Sequence, residues 1–181
     1  MASRGASELT EDAGLDLREI SRAALVTAVG LALPWVFHVL RLGHVFLPMY
    51  LPLLAGAFVL KPRTAAAAAV ATPLVSAAAT GMPPFFPPIA PWMAIELGLM
   101  TGLAALLHRR RALPPWAIVA IVLVVGRLTY AGLVYATGLW LNLPAGLLTV
   151  ASLLAGWPGM LLALAAVPAA VRLLERVRRT A

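Results

Sequence analysis

HVFLPMYLPLLAGAFVLKPRTAAAAAVATPLVSAAATGMPPFFPPIAPWMAIELGLMTG (His44–Gly102) is apolar almost throughout, yet it is broken twice. The first break, Lys61-Pro62-Arg63, is short and basic; the second, Gly81-Met82-Pro83-Pro84-Phe85-Phe86-Pro87-Pro88, carries no charge. Proline pairs cannot continue a helix, and the residue before each proline is pushed toward extended geometry. The stretch therefore reads as apolar helices joined by a basic turn and by a stiff aromatic connection suited to walling a small-molecule pocket. Just beyond the second break, Glu96 stands inside apolar sequence, where a carboxylate is expensive and marks a functional candidate.

Composition gives this reading its setting. The chain has 181 residues, 62% apolar and 12% charged, with mean hydropathy +0.93. A soluble domain carries about a quarter charged residues. Repeated apolar runs of ~20 residues, long enough to span hydrocarbon, predict an all-α, multi-pass protein of the cell membrane embedded in the lipid bilayer. The first nineteen residues are polar and mixed in charge, so no signal peptide is expected. With no cysteine, neither a disulfide frame nor a thiolate metal site can form. The net charge of +7 sits at helix ends rather than in one aromatic-laced patch, which reads as orientation in a bilayer and not as nucleic-acid binding.

Taken in order, residues 1–19 form a polar segment, 20–176 a six-helix membrane domain and 177–181 a basic tail. The predicted spans are 20–40, 48–60, 64–80, 89–107, 115–137 and 156–174, with 139–155 as a partly buried loop plus a short helix. In the first, Ala24, Ala28 and Ala32 recur every four residues. That spacing puts small side chains on one face, either as a close-approach surface in lipid or as generic alanine-rich helix. His38, Arg41 and His44 follow three apart, as a polar rim or as snorkelling residues. The second span is short and opens on Pro48 and Pro52, which is tolerated where a helix lines a cavity or packs on protein. Bases gather in the 2–3 loop (Lys61, Arg63), the 4–5 loop (Arg109–Arg111) and the tail, with only Arg41 against the pattern. The positive-inside rule then predicts six spans, both termini cytoplasmic, and the proline-aromatic loop outside.

Glu96 and Arg127 are the two groups most costly to bury. Counted from the outer ends of their spans they lie ~10 Å and ~15 Å deep at 1.5 Å per residue. A salt bridge between antiparallel neighbours is feasible, either as a pin between helices or as part of a cavity meeting a polar solute. No metalloprotease, serine-hydrolase or phosphate-loop motif is present, and His108 falls on the opposite membrane face from His38 and His44. The expectation is no enzyme, no metal, no cofactor and no ATP site of its own.

One resemblance joins these features. A small-residue first span, His44…Pro48-Met49…Leu51-Pro52…Gly56, the Lys-Pro-Arg turn and Pro73…Ser76 come in order. Gly81-Met82-Pro83-Pro84, a glutamate four residues after Trp92, Gly126-Arg127-Leu128 and Gly156-Trp157-Pro158-Gly159-Met160…Pro168 complete it. Over residues 20–176 this resembles the substrate-binding S component of energy-coupling factor (ECF) transporters. The resemblance implies a six-helix subunit that captures a vitamin or related micronutrient at the outer face. Its partners would be a transmembrane T subunit and two cytoplasmic ABC ATPases. It implies docking of the first helix through Ala24, Ala28 and Ala32, and a pocket from Met82, Pro83, Phe85, Glu96, Arg127, Tyr130 and Asn142. The other class open to these residues is a structural membrane protein of cell-envelope assembly without solute binding.

Overall fold

A computed structural model describes residues 16–39, 48–111, 113–154 and 156–180. Seven helices appear among them, and no strand: α1 (Leu17–Val39), α2 (Tyr50–Ala57), α3 (Pro62–Thr80), α4 (Ile89–Arg109), α5 (Pro115–Trp140), α6 (Ala145–Leu154) and α7 (Trp157–Thr180). The sequence readings on residues 1–15, on Arg41 and His44, and on the His38 side chain lie outside what is described.

Local chemistry sets the boundaries. Extended residues Lys61 and Pro114 precede α3 and α5, and each helix opens on a proline whose missing N–H would have had no partner there. Helix α3 ends at Gly81, whose φ of 72° is left-handed and whose N–H donates to the Ala77 carbonyl. The Ser76 and Thr80 hydroxyls both donate to the Met82 carbonyl, so the proline-aromatic loop is tied back onto α3 where it leaves the helix.

Against the expectation of six spans, the described residues hold three stretches long and apolar enough to cross a membrane: Ile89–Arg109, Pro115–Trp140 and Ala145–Leu174. The last takes in α6, residue 155 (not described) and most of α7. Helix α2, with 8 residues, is about 12 Å long against a core of ~30 Å and cannot cross by itself. Helix α3 has the length, but it is built largely of alanine, whose methyl side chain supplies little transfer free energy. The C-terminal end of α1 runs into side chains that are not described.

Short as it is, α2 is the centre of the bundle. It packs against α1, α3, α4 and α7, and Leu53 and Leu54 are fully buried with Leu97, Met100, Ile118, Val119, Val122 and Val167. A helix end enclosed in protein finds its hydrogen-bond partners there, which is why an interrupted segment is tolerated. Around it the helices approach through small residues. Gly98 and Gly102 on α4 lie one turn apart and face α3, where a Cβ at Gly98 would meet Val70 at 2.5 Å and one at Gly102 would meet Ala66 at 3.3 Å. Between them the buried Thr101 hydroxyl donates to Leu97 O within its own helix and reaches Ala65 O on α3 at 3.2 Å. This is a small-xxx-small seam.

Helix α1 packs through a different set. Gly30 lies against Thr72 and Leu53, Val26 fills the space beside Gly56, and Ala23 joins the core. At the foot of α1 the Glu19 carboxylate, 7% exposed, accepts the Lys61 backbone N–H that opens α3, while Lys61 Nζ lies 3.7 Å from Asp16. Ala24, Ala28 and Ala32 lie on the opposite side of α1 and are exposed.

Candidate functional site

Glu96 is 1% exposed, in the middle of α4. Its depth follows from the helix on which it sits: the same face carries Leu97 and Met100 into the core, so the carboxylate goes with them. Helix α5 comes close to α4 at Gly126, where a Cβ would fall 2.2 Å from Met100 Sδ. Met100 lies one turn after Glu96 on α4, so this close approach brings Arg127, the neighbour of Gly126, into the region of Glu96.

No ion pair forms between them. Glu96 Oε2 instead accepts the hydroxyl of Tyr50, the buried first residue of α2. The Arg127 guanidinium is turned the other way. Its Nε lies 3.3 Å from Met160 Sδ on α7, and Nη1 reaches the Ser152 carbonyl of α6 only at 3.5 Å. Sulfur is a weak acceptor and 3.5 Å is long, so both contacts are poor partners for a cation. The Arg127 Cζ stands 6.0 Å from the Tyr50 ring and 5.9 Å from the Tyr130 ring, at the edge of cation–π range. Tyr50 thus joins the two charges without letting them meet.

Three buried polar atoms in this region have no hydrogen-bond partner: Trp92 Nε1, Glu96 Oε1 and Arg127 Nη2. Trp92 is one turn before Glu96 on α4. Buried polar atoms are paired in the great majority of cases, and each exception calls for a partner. An indole donor and a carboxylate acceptor are left open one turn apart on α4, and a cationic donor is left open on α5.

Of the residues expected to line a pocket, the structure gathers Glu96, Arg127 and Tyr130 around Tyr50. Met82 and Phe85 are 59% and 52% exposed in the proline-aromatic loop, and Pro83 beside them is half-buried. Asn142 is exposed in the turn after α5, with a left-handed φ of 54°. None of these four makes a side-chain hydrogen bond or ring contact with the cluster among the described residues. The sequence reading missed Tyr50 and gave Trp92 and Met160 no role at the site. A hydroxyl among leucines and prolines at Tyr50, and an indole one turn from a buried carboxylate, were the available signals. Among the described residues no three His, Cys, Asp or Glu side chains come together as a metal would need.

No family model matches the sequence, and no curated protein and no solved structure shows significant similarity to it.

Proposed function

We propose that the chain is the substrate-binding S subunit of an ECF-type ABC importer. It captures a vitamin or related micronutrient at the outer face of the cell membrane and delivers it with a T subunit and two cytoplasmic ATPases. In this reading the chain crosses the bilayer six times, with α2 as a buried, interrupted segment and both termini cytoplasmic. It performs no chemistry of its own.

The observation that carries the reading is the set of unpartnered buried atoms on Trp92, Glu96 and Arg127. An apolar bundle that leaves a carboxylate oxygen, an indole N–H and a guanidinium nitrogen open has a use for them, because each is costly in a low-dielectric interior. The exposed Ala24/Ala28/Ala32 face of α1 supports the second half of the reading. It is a small-residue stripe left exposed among the described residues, suited to another membrane helix. The alternative is a scaffold of cell-envelope assembly without solute binding, in which Tyr50–Glu96 and the Arg127 contacts to α6 and α7 only hold helices together.

The test is affinity purification of the tagged full chain from native membranes in mild detergent, with mass spectrometry of both proteins and small molecules. Co-purification of a membrane T subunit and paired ATPases, together with a solute released on denaturation, is the expected result. Recovery of envelope-assembly proteins with no solute would replace the reading by the scaffold.

A further inference from the structure

We infer that the bundle selects its lipid at one end: Arg109, Arg110 and Arg111 in the α4–α5 turn, with Arg172 of α7, gather anionic phospholipid headgroups around Trp116. The inference needs the chain to lie in a bilayer and takes nothing else from the S-subunit reading.

The two ends of α5 differ in the way that matters. Each carries an exposed tryptophan, Trp116 at 55% and Trp140 at 77%. They stand near the two ends of this 26-residue helix, about 36 Å apart at 1.5 Å per residue, against a hydrocarbon core of ~30 Å. An indole is favoured where apolar chains meet polar headgroups, so the pair sets both ends of α5 in the headgroup layers. Around Trp140 the neighbouring Leu139, Leu141, Asn142 and Leu143 carry no charge. Just before Trp116, by contrast, come three successive exposed arginines, Arg109, Arg110 and Arg111. Arg172 reaches the same level from α7. That helix runs against α5: Met160 touches Arg127, and the later Val167 and Val171 share the core with Ile118 and Val119 near the start of α5. Arg172 and Pro115 are then each about 18 Å from the Arg127–Met160 contact at 1.5 Å per residue.

Charge and setting together name the occupant. Arg172 is exposed like the other three, and the ion pair among the described residues lies elsewhere, between Lys61 and Asp16. The sequence supplies one acid beside these arginines, Glu175. A guanidinium gives a phosphate two N–H donors at once and carries the opposite charge. A zwitterionic headgroup brings a cation along with its phosphate, which a group of arginines repels, whereas an anionic headgroup brings none. Basic clusters at the end of a membrane helix draw in anionic lipid for this reason. An acidic protein segment would match the charge alone. It would not match Trp116 and Leu113, 55% and 38% exposed, whose apolar bodies continue the basic surface toward the acyl chains.

The experiment uses the full chain in nanodiscs of phosphatidylcholine with a minority of phosphatidylglycerol. Bromine on the acyl chains of one lipid or the other, at equal mole fraction, quenches the tryptophans that lipid touches. The Trp116 and Trp140 signals are each read as the difference between wild type and Trp116→Phe or Trp140→Phe. Brominated phosphatidylglycerol should quench Trp116 about twofold or more beyond brominated phosphatidylcholine. Trp140, with no arginine beside it, should be quenched equally by both. Sodium chloride at about 0.5 M should erode the preference, since exposed charges are screened. Arg109→Gln, Arg110→Gln and Arg111→Gln together should abolish most of it, and Arg110→Gln or Arg172→Gln alone should each remove part. Should the triple variant fail to insert, the single variants and the salt series decide. Equal quenching of Trp116 by the two lipids would overturn the inference and leave the patch to an acidic protein partner. The same preference at Trp140, or a preference that neither salt nor the substitutions reduce, would overturn it too.

Discussion

The Tyr50 hydroxyl donates to Glu96 Oε2 across 46 positions of sequence, and this bond partners the buried carboxylate in place of any ion pair with Arg127. The consequence is energetic. Removing the hydroxyl leaves Glu96 with no partner at all, since Oε1 already has none.

Tyr50→Phe should therefore destabilise the protein by about 1–3 kcal/mol, the cost of an unsatisfied buried group. In double-mutant cycles read by thermal or denaturant unfolding in detergent, Tyr50→Phe with Glu96→Leu should show strong coupling. Glu96→Leu with Arg127→Met should show less. The opposite order would mean that the two charges pair directly.

The α3–α4 seam predicts a specific overpacking defect. Gly98→Ala puts a methyl group where Val70 Cγ2 stands 2.5 Å away, and valine has little rotameric freedom on a helix. A loss of ~1–3 kcal/mol is expected, and Val70→Ala should restore most of it. Failure of the second substitution to rescue would place the strain elsewhere.

On the proposed S-subunit function, Ala28→Trp separates docking from folding. Because Ala28 is exposed, the isolated subunit should keep its stability to within about 0.5 kcal/mol and keep its bound solute. Uptake by the assembled transporter should be lost. Unchanged uptake would remove the α1 stripe from the interface, and loss of solute would tie α1 to the pocket.

Orientation is checked by labelling. The basic residues Arg109–Arg111 stand at the C-terminal end of α4, and the uncharged loop with Phe86, 75% exposed, precedes it. A cysteine in Phe86→Cys should react with an impermeant thiol reagent in intact cells, and one in Arg110→Cys only after permeabilisation. The reverse pattern would invert the topology.

The helices were legible because prolines, Gly81 and the basic turns punctuate long apolar runs: α4 and α5 begin at the predicted Ile89 and Pro115 and α3 ends at the predicted Thr80, whereas α3 begins at Pro62, two residues before the predicted start. Azimuth was not. Counting residues placed Glu96 and Arg127 near the same level, and in the structure both lie beside Tyr50. Depth does not say which way a side chain turns, and Arg127 turns toward Ser152 and Met160. For the same reason Tyr50 was invisible as a partner for Glu96, since nothing local links positions 46 apart. On α1 the sequence singled out Ala24, Ala28 and Ala32, and only the packing of Val26 and Gly30 shows that the chain buries another face.

The contact at the base of α1 has a mechanical consequence. Glu19 holds the Lys61 amide and Asp16 approaches the Lys61 ammonium group, so the start of α1 is pinned to the start of α3. A helix with a fixed foot can tilt like a lever but cannot slide along its axis. A pull on its outward stripe would therefore swing the far end of α1, and Val26 seated against Gly56 would carry α2 with it. Tyr50 rides on α2, so a tug on the outside of the bundle would reach the one hydroxyl that holds Glu96 in place.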